Sequence, residues 1–291
     1  MSVLALDLGG TNFRAMLADA SDLRPGALPD PVMQGPAPST HARFIEILDA
    51  LVEEHRPDAI GLAIPGLATG TVCQWVPNLP WLNGTDLAAQ FPALRVRVAN
   101  DAHMALLAEA VAGAAQEPDS AILIAVGTGI GSALMVDRRV ARNGATSFGW
   151  ACADVTAPGQ ERDGWLESVA AGRALDRAAQ GVGLPDGPAL IEAARKGEAA
   201  ARAALAPAQD ALGTTLAGAV ALTGAERVIV SGGVARALDV IGPPVLDRLR
   251  AHLPPHLRGV TIVAAAFGAS ASLAGAAIAC TDHPVWEDKS R

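Results

Sequence analysis

Val3-Leu4-Ala5-Leu6-Asp7-Leu8-Gly9-Gly10-Thr11-Asn12-Phe13-Arg14 opens the chain and decides its fold. The apolar run that ends at Leu8 is typical of a buried strand, and a second apolar run begins at Phe13. Two glycines between the runs allow a tight turn whose amides can approach an anion closely. The stretch does not match a dinucleotide-binding fingerprint, because that motif needs a helix after the glycines. It predicts a strand–turn–strand hairpin whose tip either faces a phosphate or is an ordinary polar turn.

The same design returns in the middle of the chain. Ala121-Ile122-Leu123-Ile124-Ala125-Val126 runs into Gly127-Thr128-Gly129, and another apolar run starts at Ile130. Two such hairpins, one at the start of each half, predict a duplicated domain that holds phosphate between its copies. The pair of hairpins is far more specific than either turn alone.

A third informative stretch is Val98-Ala99-Asn100-Asp101-Ala102-His103, where a strand pattern gives way to a helical one. Ligands bind at the carboxyl ends of strands in open α/β sheets. There the carboxylate of Asp101 can accept a proton, and the amide of Asn100 can clamp a hydroxyl. The alternative is that Asn100 only caps the helix, and the residues alone favour neither interpretation.

Three further positions are candidates for ligand binding. Asn78 lies in a proline-stiffened loop, which suits a fixed hydrogen-bonding group or an Asx turn. Glu167 lies at the start of a helix predicted over residues 166–179, where a solvated first-turn carboxylate is favourable. Gly232 and Gly233, between a strand and a helix, let a flat ring or a phosphate lie close to the backbone.

Composition narrows the function classes. The chain has 291 residues and a formal net charge of −8, which argues against non-specific binding to nucleic acid or a membrane surface. Cys73, Cys152 and Cys280 are scattered without metal-ligand spacing. No signal peptide and no membrane-spanning apolar run are visible. The composition therefore predicts a soluble cytoplasmic protein.

Together these motifs resemble the ROK family (repressors, open reading frames and kinases) and bacterial glucokinases, within the superfamily of sugar kinases and actin-like ATPases. Both hairpin turns, the Gly61-Leu62-Ala63-Ile64-Pro65-Gly66 stretch, the Pro77-Asn78-Leu79 loop, Asn100-Asp101 and Ser231-Gly232-Gly233 carry the resemblance in order. It implies an α/β fold with two ribonuclease-H-like (actin-like ATPase) domains around a central cleft. The expected domains are a small one over residues 1–115, on which residues 269–291 pack back, and a large one over residues 116–268.

The resemblance also implies an activity, ATP-dependent phosphorylation of glucose or a related hexose at a primary hydroxyl. Asp101 would be the general base, and Asp7, which ends the first strand, would hold Mg²⁺ through water. The residues expected to bind the sugar are Asn78, Asn100, Asp101, Ser147, Trp150 and Glu167. Those expected to bind ATP are Asp7, Gly9, Gly10, Thr11, Asn12, Gly127, Thr128, Gly129, Gly232 and Gly233.

Two departures from the family pattern leave alternatives open. The family carries a Glu-x-Gly-His sugar signature where this chain has Ser147-Phe148-Gly149-Trp150. Trp150 would therefore either stack on a sugar face or fill the space left by a smaller substrate. The His and Cys cluster of the family's zinc site is missing, so no zinc is expected. The alternative functions are a sugar-sensing pseudokinase or regulator, a kinase for a non-sugar alcohol, and an ATPase activator. A DNA-binding repressor is not expected, because the chain starts directly at the first strand; a homodimer is expected from relatives alone.

Overall fold

The computed structural model describes residues 1–144, 146–157 and 164–286. By their internal contacts these residues divide into two compact units. The first unit comprises Met1–Gln116, Arg139–Arg142 and the described residues from Ala269 onward. The second unit comprises the described residues of Glu117–Arg138 and Asn143–Gly268.

Strands and helices alternate along the chain. The strands are β1 (Ser2–Leu8), β2 (Asn12–Asp19), β3 (Met33–Pro36), β4 (Ala59–Ile64), β5 (Leu67–Thr69), β6 (Val72–Trp75), β7 (Arg95–Asn100), β8 (Ala121–Val126), β9 (Ile130–Val136), β10 (Arg139–Val140), β11 (Arg227–Ser231) and β12 (Thr261–Ala264). The helices are α1 (His41–His55), α2 (Leu87–Gln90), α3 (Asp101–Ala112), α4 (Trp165–Ala170), α5 (Gly172–Gly181), α6 (Gly187–Arg195), α7 (Ala199–Thr223), α8 (Leu238–Ala251) and α9 (Ala271–Ile278). Short 3₁₀ turns lie at Pro80–Leu82, Phe148–Trp150, Gly233–Ala237, Pro255–Leu257 and Gly268–Ser270.

The sheet of the first unit has the strand order β3-β2-β1-β4-β7. Strand β1 pairs antiparallel with β2 and parallel with β4, which in turn pairs parallel with β7. All six residues of β4 are buried, because helices cover both faces of a parallel sheet. The carboxyl ends of β1, β4 and β7 consequently lie side by side at one edge.

Small residues let helix α9 pack closely in the first unit. A Cβ on Gly61 of β4 would lie 1.9 Å from the carbonyl oxygen of Ala276. A Cβ on Gly275 would lie 1.7 Å from the carbonyl oxygen of Met104 in α3. Helix α9 therefore contacts both β4 and α3 at distances that only glycine permits, and the small-residue run near the carboxyl end of the chain serves this packing.

The sheet of the second unit repeats the central topology of the first. Its strands β9-β8-β11-β12 follow one another in that order. Strand β8 pairs antiparallel with β9 and parallel with β11, and β11 pairs parallel with β12. The directions match those of β2-β1-β4-β7, which confirms the α/β fold class expected from the sequence. No helix in the described part of the chain is long and apolar enough to cross a membrane.

Two sequence predictions were wrong in detail. The single helix predicted over residues 166–179 is two helices, because Ala171 between α4 and α5 is extended with ψ 169°. The polar composition of residues 281–291 predicts a frayed tail, but Val285 and Trp286 are buried. Trp286 also stacks under the Arg142 guanidinium, 4.6 Å from the ring centroid, which fixes the tail to a distant part of the chain. Residues 287–291 lie outside the described part.

Candidate functional site

The first hairpin presents an exposed four-residue turn. Strands β1 and β2 end in the pair Leu8–Phe13, and the Gly9 amide donates to the Asn12 carbonyl at 2.8 Å. Gly10 and Thr11 lie at the exposed tip, and their amides donate to no described residue. Two backbone donors are therefore available to an anion at this turn.

An ion pair lies beneath that turn. Asp7 and Arg14 face each other across β1 and β2, and Arg14 Nη2 donates to Asp7 Oδ2. The same nitrogen donates to the Ala269 carbonyl oxygen at 2.7 Å. Both side chains are partly buried, so the pair orients the Asp7 carboxylate. Asp7 Oδ1 makes no hydrogen bond to any described residue and is left for a ligand.

Asn100 ends β7 and caps helix α3, as one of the two sequence interpretations held. Its Oδ1 accepts from the Ala102 amide at 2.9 Å, and its Nδ2 donates to the Gly66 carbonyl at 3.1 Å. These bonds fix the side chain, which is 8% exposed. Because a side-chain amide has two hydrogens and two acceptor positions, one of each remains for a hydroxyl. Capping and hydroxyl binding are thus compatible.

Asp101, the first residue of α3, carries the most perturbed carboxyl group of the first unit. Burial, and after it the charge of the nearby Asp7 carboxylate, raise its pKa to about 7. The amide hydrogens of Ala102 and of Asp101 itself act in the opposite direction. A carboxyl group with this pKa can give up or accept a proton near neutral pH, which is what a general base must do.

Asn78 adjoins the first turn. Asn78 lies in a turn that is closed by a hydrogen bond from the Leu79 amide to the Val76 carbonyl at 3.0 Å, and the Asn78 side chain is exposed. A Cβ on Gly10 would lie 3.1 Å from the Asn78 Cβ. The Asn78 amide makes no hydrogen bond to described residues, so it closes no Asx turn there. Of the predicted residues, the first unit thus gathers Asp7, Gly10, Asn78 and Asp101 near the carboxyl ends of its parallel strands.

The second hairpin has a shorter turn, Gly127-Thr128-Gly129. The Gly127 amide donates to the Gly129 carbonyl at 2.9 Å, and the Gly127 carbonyl accepts from the Gly172 amide at 2.8 Å. The amides of Thr128 and Gly129 donate to no described residue. This turn therefore also offers two free backbone donors.

Glu167 contacts the second turn directly. Its Oε2 accepts from the Ile130 amide at 2.9 Å, at the end of the turn opposite the Gly172 contact. A Cβ on Gly149 would lie 3.1 Å from the same oxygen, so the loop that carries Ser147 and Trp150 passes beside this carboxylate. Both of those side chains are exposed, and Trp150 retains 55% of its surface. Glu167 is neither freely solvated nor remote from the predicted sugar residues.

The glycine pair after β11 is built for close approach. Gly232 has φ +80°, and a Cβ there would lie 2.5 Å from the carbonyl oxygen of Val126, the residue before the second turn. Gly233 has open space where a Cβ would point. A residue with a side chain at 232 would be strained and would clash, whereas the exposed backbone at 233 can meet a flat ring or a phosphate.

Sequence reasoning did not assign a role to two residues of these sites. Arg14 stood in the quoted motif, and its place opposite Asp7 follows from the hairpin register. Gly172, whose amide contacts the second turn, was missed because the prediction placed it inside one continuous helix; the glycine itself was the available signal. No group of three or more metal-binding side chains occurs within the described residues.

Comparisons with known proteins agree with this architecture. The family model of the ROK family matches residues 3–283. Glucokinase from Thermotoga maritima is 25% identical, over 95% of this chain and 96% of the relative. N-acetylmannosamine kinase from Salmonella typhi is 29% identical, over 96% and 98%. The crystal structure of a ROK family glucokinase from Streptomyces griseus, in complex with glucose and AMPPNP, superposes with a TM-score of 0.75 at 26% identity, over 95% and 98%.

The chain therefore belongs to the ROK family. Its fold is that of the ROK sugar kinases, which is the actin-like ATPase fold. The enzyme class expected from the sequence, an ATP-dependent phosphotransferase with an alcohol acceptor, is confirmed, and the chain is an ATP-dependent sugar kinase.

Proposed function

We propose that the chain transfers the terminal phosphoryl group of ATP to a primary hydroxyl of a hexose, glucose or a related sugar, with Asp101 as the general base. The observation that carries the proposal is the convergence of Asp7, Asp101 and Asn78 around the exposed first turn. The relatives named above, a glucokinase and an N-acetylmannosamine kinase, act on hexoses that bear a primary hydroxyl.

Asp101 takes the proton of the attacking hydroxyl. Its Oδ1 accepts from the Ala102 amide at 2.8 Å, which fixes the carboxylate, while Oδ2 makes no bond to described residues. Phosphoryl transfer depends on positioning and charge stabilisation more than on covalent chemistry, so a fixed acceptor of suitable pKa is what this step needs.

The free turn amides bind the phosphates of ATP. In the first unit these are the amides of Gly10 and Thr11, supported by Gly9 and Asn12, which close the turn. In the second unit they are the amides of Thr128 and Gly129, held through Gly127. Gly232 and Gly233 receive the adenosine: the positive φ of Gly232 sets the turn close to Val126, and Gly233 has open space for a flat ring.

The residues of the first unit fit a magnesium ion. Magnesium takes oxygen ligands and keeps several waters. Asp7 has one free carboxylate oxygen, and its charge is close enough to Asp101 to raise the pKa of that group. Asp7 would hold the ion through water, and bound Mg²⁺ would neutralise charge on the triphosphate.

Five side chains besides Asp101 are proposed to bind the sugar. Asn78 and Asn100 donate and accept hydrogen bonds with its hydroxyls, and Glu167 offers Oε1, which has no partner among described residues. Ser147 and Trp150 replace the carboxylate and imidazole of the family signature with a hydroxyl and an indole. An exposed indole can cover an apolar sugar face, which a smaller side chain cannot do.

Replacement of the base tests the assignment. We expect Asp101→Asn to fold and to bind AMPPNP within about twofold of the parent, but to lower kcat by about 10²- to 10⁴-fold. The measurement is ATP consumption with glucose, N-acetylmannosamine and other hexoses. Asp49→Asn, at an exposed position of α1, is the matched control and should leave kcat unchanged. Near-parental turnover of Asp101→Asn would contradict the proposed base.

A sugar-sensing regulator is the second candidate. The altered signature at Ser147 and Trp150 favours it, because a sugar site can keep its affinity while it loses a group that turnover needs. Calorimetry with the same sugars separates the two functions. Saturable sugar binding with little sugar-dependent ATP consumption would establish regulation as the main role of the chain, and efficient sugar-dependent ADP formation would establish catalysis as that role.

A further inference from the structure

The interruption between α4 and α5 lies directly on the second turn. At Ala171 the chain leaves the helical conformation, and the next amide, that of Gly172, donates to the Gly127 carbonyl at 2.8 Å. A Cβ on Gly172 would lie 2.9 Å from the same carbonyl oxygen. The chain therefore breaks a helix at the point where it contacts the first residue of this turn.

Glu167 contacts the other end of the same turn, four residues before the break. It accepts the Ile130 amide at 2.9 Å. In a regular hairpin an amide at this position bonds to the opposite strand or points to solvent, so a carboxylate from a separate helix is an additional restraint. The segment from Glu167 in α4 to Gly172 at the start of α5 thus holds the turn at both of its ends, through Glu167 at Ile130 and through Gly172 at Gly127.

Two glycines make room for this carboxylate. A Cβ on Gly129 would lie 2.8 Å and 2.9 Å from the two carboxylate oxygens of Glu167. On the other side, a Cβ on Gly149 would lie 3.1 Å from Oε2. Contacts under 3.0 Å force a displacement, so Gly129 can carry no side chain while Glu167 stays in place.

We propose that Glu167 is a positioning residue for nucleotide binding: it holds the Ile130 amide, so that the Thr128 and Gly129 amides of the second turn remain ordered to bind a phosphate. The inference rests on the proposed function, because it takes the second turn as an ATP phosphate site. It adds to the proposed sugar contact, since Oε2 holds the turn while Oε1 has no hydrogen-bond partner among the described residues. One carboxylate would thereby couple the sugar site to the nucleotide site.

Nucleotide affinity in the absence of sugar separates this role from a sugar contact. We expect Glu167→Ala to raise the Kd for AMPPNP about tenfold without sugar, because the Ile130 amide loses its acceptor. Glu167→Gln keeps an acceptor oxygen, so its Kd should stay within about threefold of the parent. Glu192→Ala, an exposed glutamate of α6 in the same unit, is the control and should change nothing. The measurement is isothermal titration calorimetry with AMPPNP.

A double-mutant cycle with Gly129 sharpens the test. Gly129→Ala introduces the clashing Cβ and should displace the carboxylate, so its AMPPNP affinity should fall about as far as that of Glu167→Ala. In the Gly129→Ala/Glu167→Ala chain the clash is absent, and affinity should be no lower than in Glu167→Ala alone. Melting temperatures identify any variant that fails to fold. If Glu167→Ala does not fold, the AMPPNP affinities of the single variants Glu167→Gln and Gly129→Ala are compared instead.

Each result decides the inference. Glu167→Ala that binds AMPPNP like the parent, while its KM for sugar rises, overturns it and leaves the proposed kinase standing. Independent, additive losses in the double-mutant cycle overturn it as well. A parent chain that binds no AMPPNP overturns both the inference and the proposed function.

Discussion

Asp7 faces Arg14 at the second residue pair from the first turn, whereas Ala125 faces Gly131 at the corresponding pair of the second hairpin. The first hairpin thus carries its own ion pair between its strands. The second hairpin has small residues there, and its carboxylate comes from Glu167, which lies 37 positions along the chain from Ile130. One strand topology supports two different ways of placing a negative charge beside an anion-binding turn.

The difference separates the tasks of the two turns. In the first unit Asp7 remains partly free, next to Asp101, and so can act on a cation and on the pKa of the base. In the second unit the Glu167 oxygen nearest the turn already accepts a backbone hydrogen bond. Under the proposed function, charge beside the first turn serves chemistry, whereas charge beside the second turn supports the backbone.

Removal of the first carboxylate should give the largest effect on this comparison. We expect Asp7→Asn to lower kcat at least about 10²-fold and to raise the Mg²⁺ concentration needed for half-maximal rate, because an amide binds the cation poorly. Initial rates over a Mg²⁺ series give both quantities. Glu167→Gln serves as the counterpart from the second hairpin and should leave the Mg²⁺ dependence unchanged. An equal shift of the half-maximal Mg²⁺ concentration in both variants would contradict the proposed division of roles between the two turns.

Acid pH should affect the first unit next most strongly. Asp101 must be deprotonated to accept a proton, and its pKa is about 7, so kcat/KM should fall about tenfold per pH unit below pH 7 and level off above it. The measurement is kcat/KM for the sugar between pH 5 and 9 at saturating MgATP. The Asp7 charge raises the pKa of Asp101, so in Asp7→Asn the midpoint of the acid limb of the kcat/KM profile should shift to a lower pH. An unchanged midpoint in that variant would rule out the coupling.

The sequence predicted features that depend on local pattern. Apolar runs gave the strands β1, β4, β8 and β9, because the strands of a covered sheet are apolar on both faces. The switch of period after Asn100 gave the start of α3, and the register of the first hairpin follows from its short turn. Asp101 was identified as the base by resemblance, and its raised pKa in the structure is consistent with that role.

Features that depend on contacts between distant segments escaped prediction. Gly172 follows Ala171, but a single glycine within a helical pattern is tolerated, and the preceding alanines favour a helix, so local pattern did not predict the break. It arises where Gly172 meets Gly127, a contact that spans 45 positions of the chain. The polar composition of residues 281–291 likewise gave no sign that Trp286 is buried, with its ring against Arg142. Tertiary contacts overrode local propensity in both places.

The smallest expected effect compares one glycine from each turn. Gly10→Ala places a Cβ 3.1 Å from the Asn78 Cβ, so the Asn78 loop must shift by a few tenths of an ångström, and the KM for sugar should rise about three- to tenfold. Gly127→Ala meets no atom within 4 Å, so steady-state kinetics should stay within about twofold of the parent. Neither glycine has a positive φ, so the two variants differ in packing and not in backbone strain. Equal effects would mean that the contact with Asn78 does not determine the effect of a methyl group at position 10, because a methyl group at position 127 meets no neighbour.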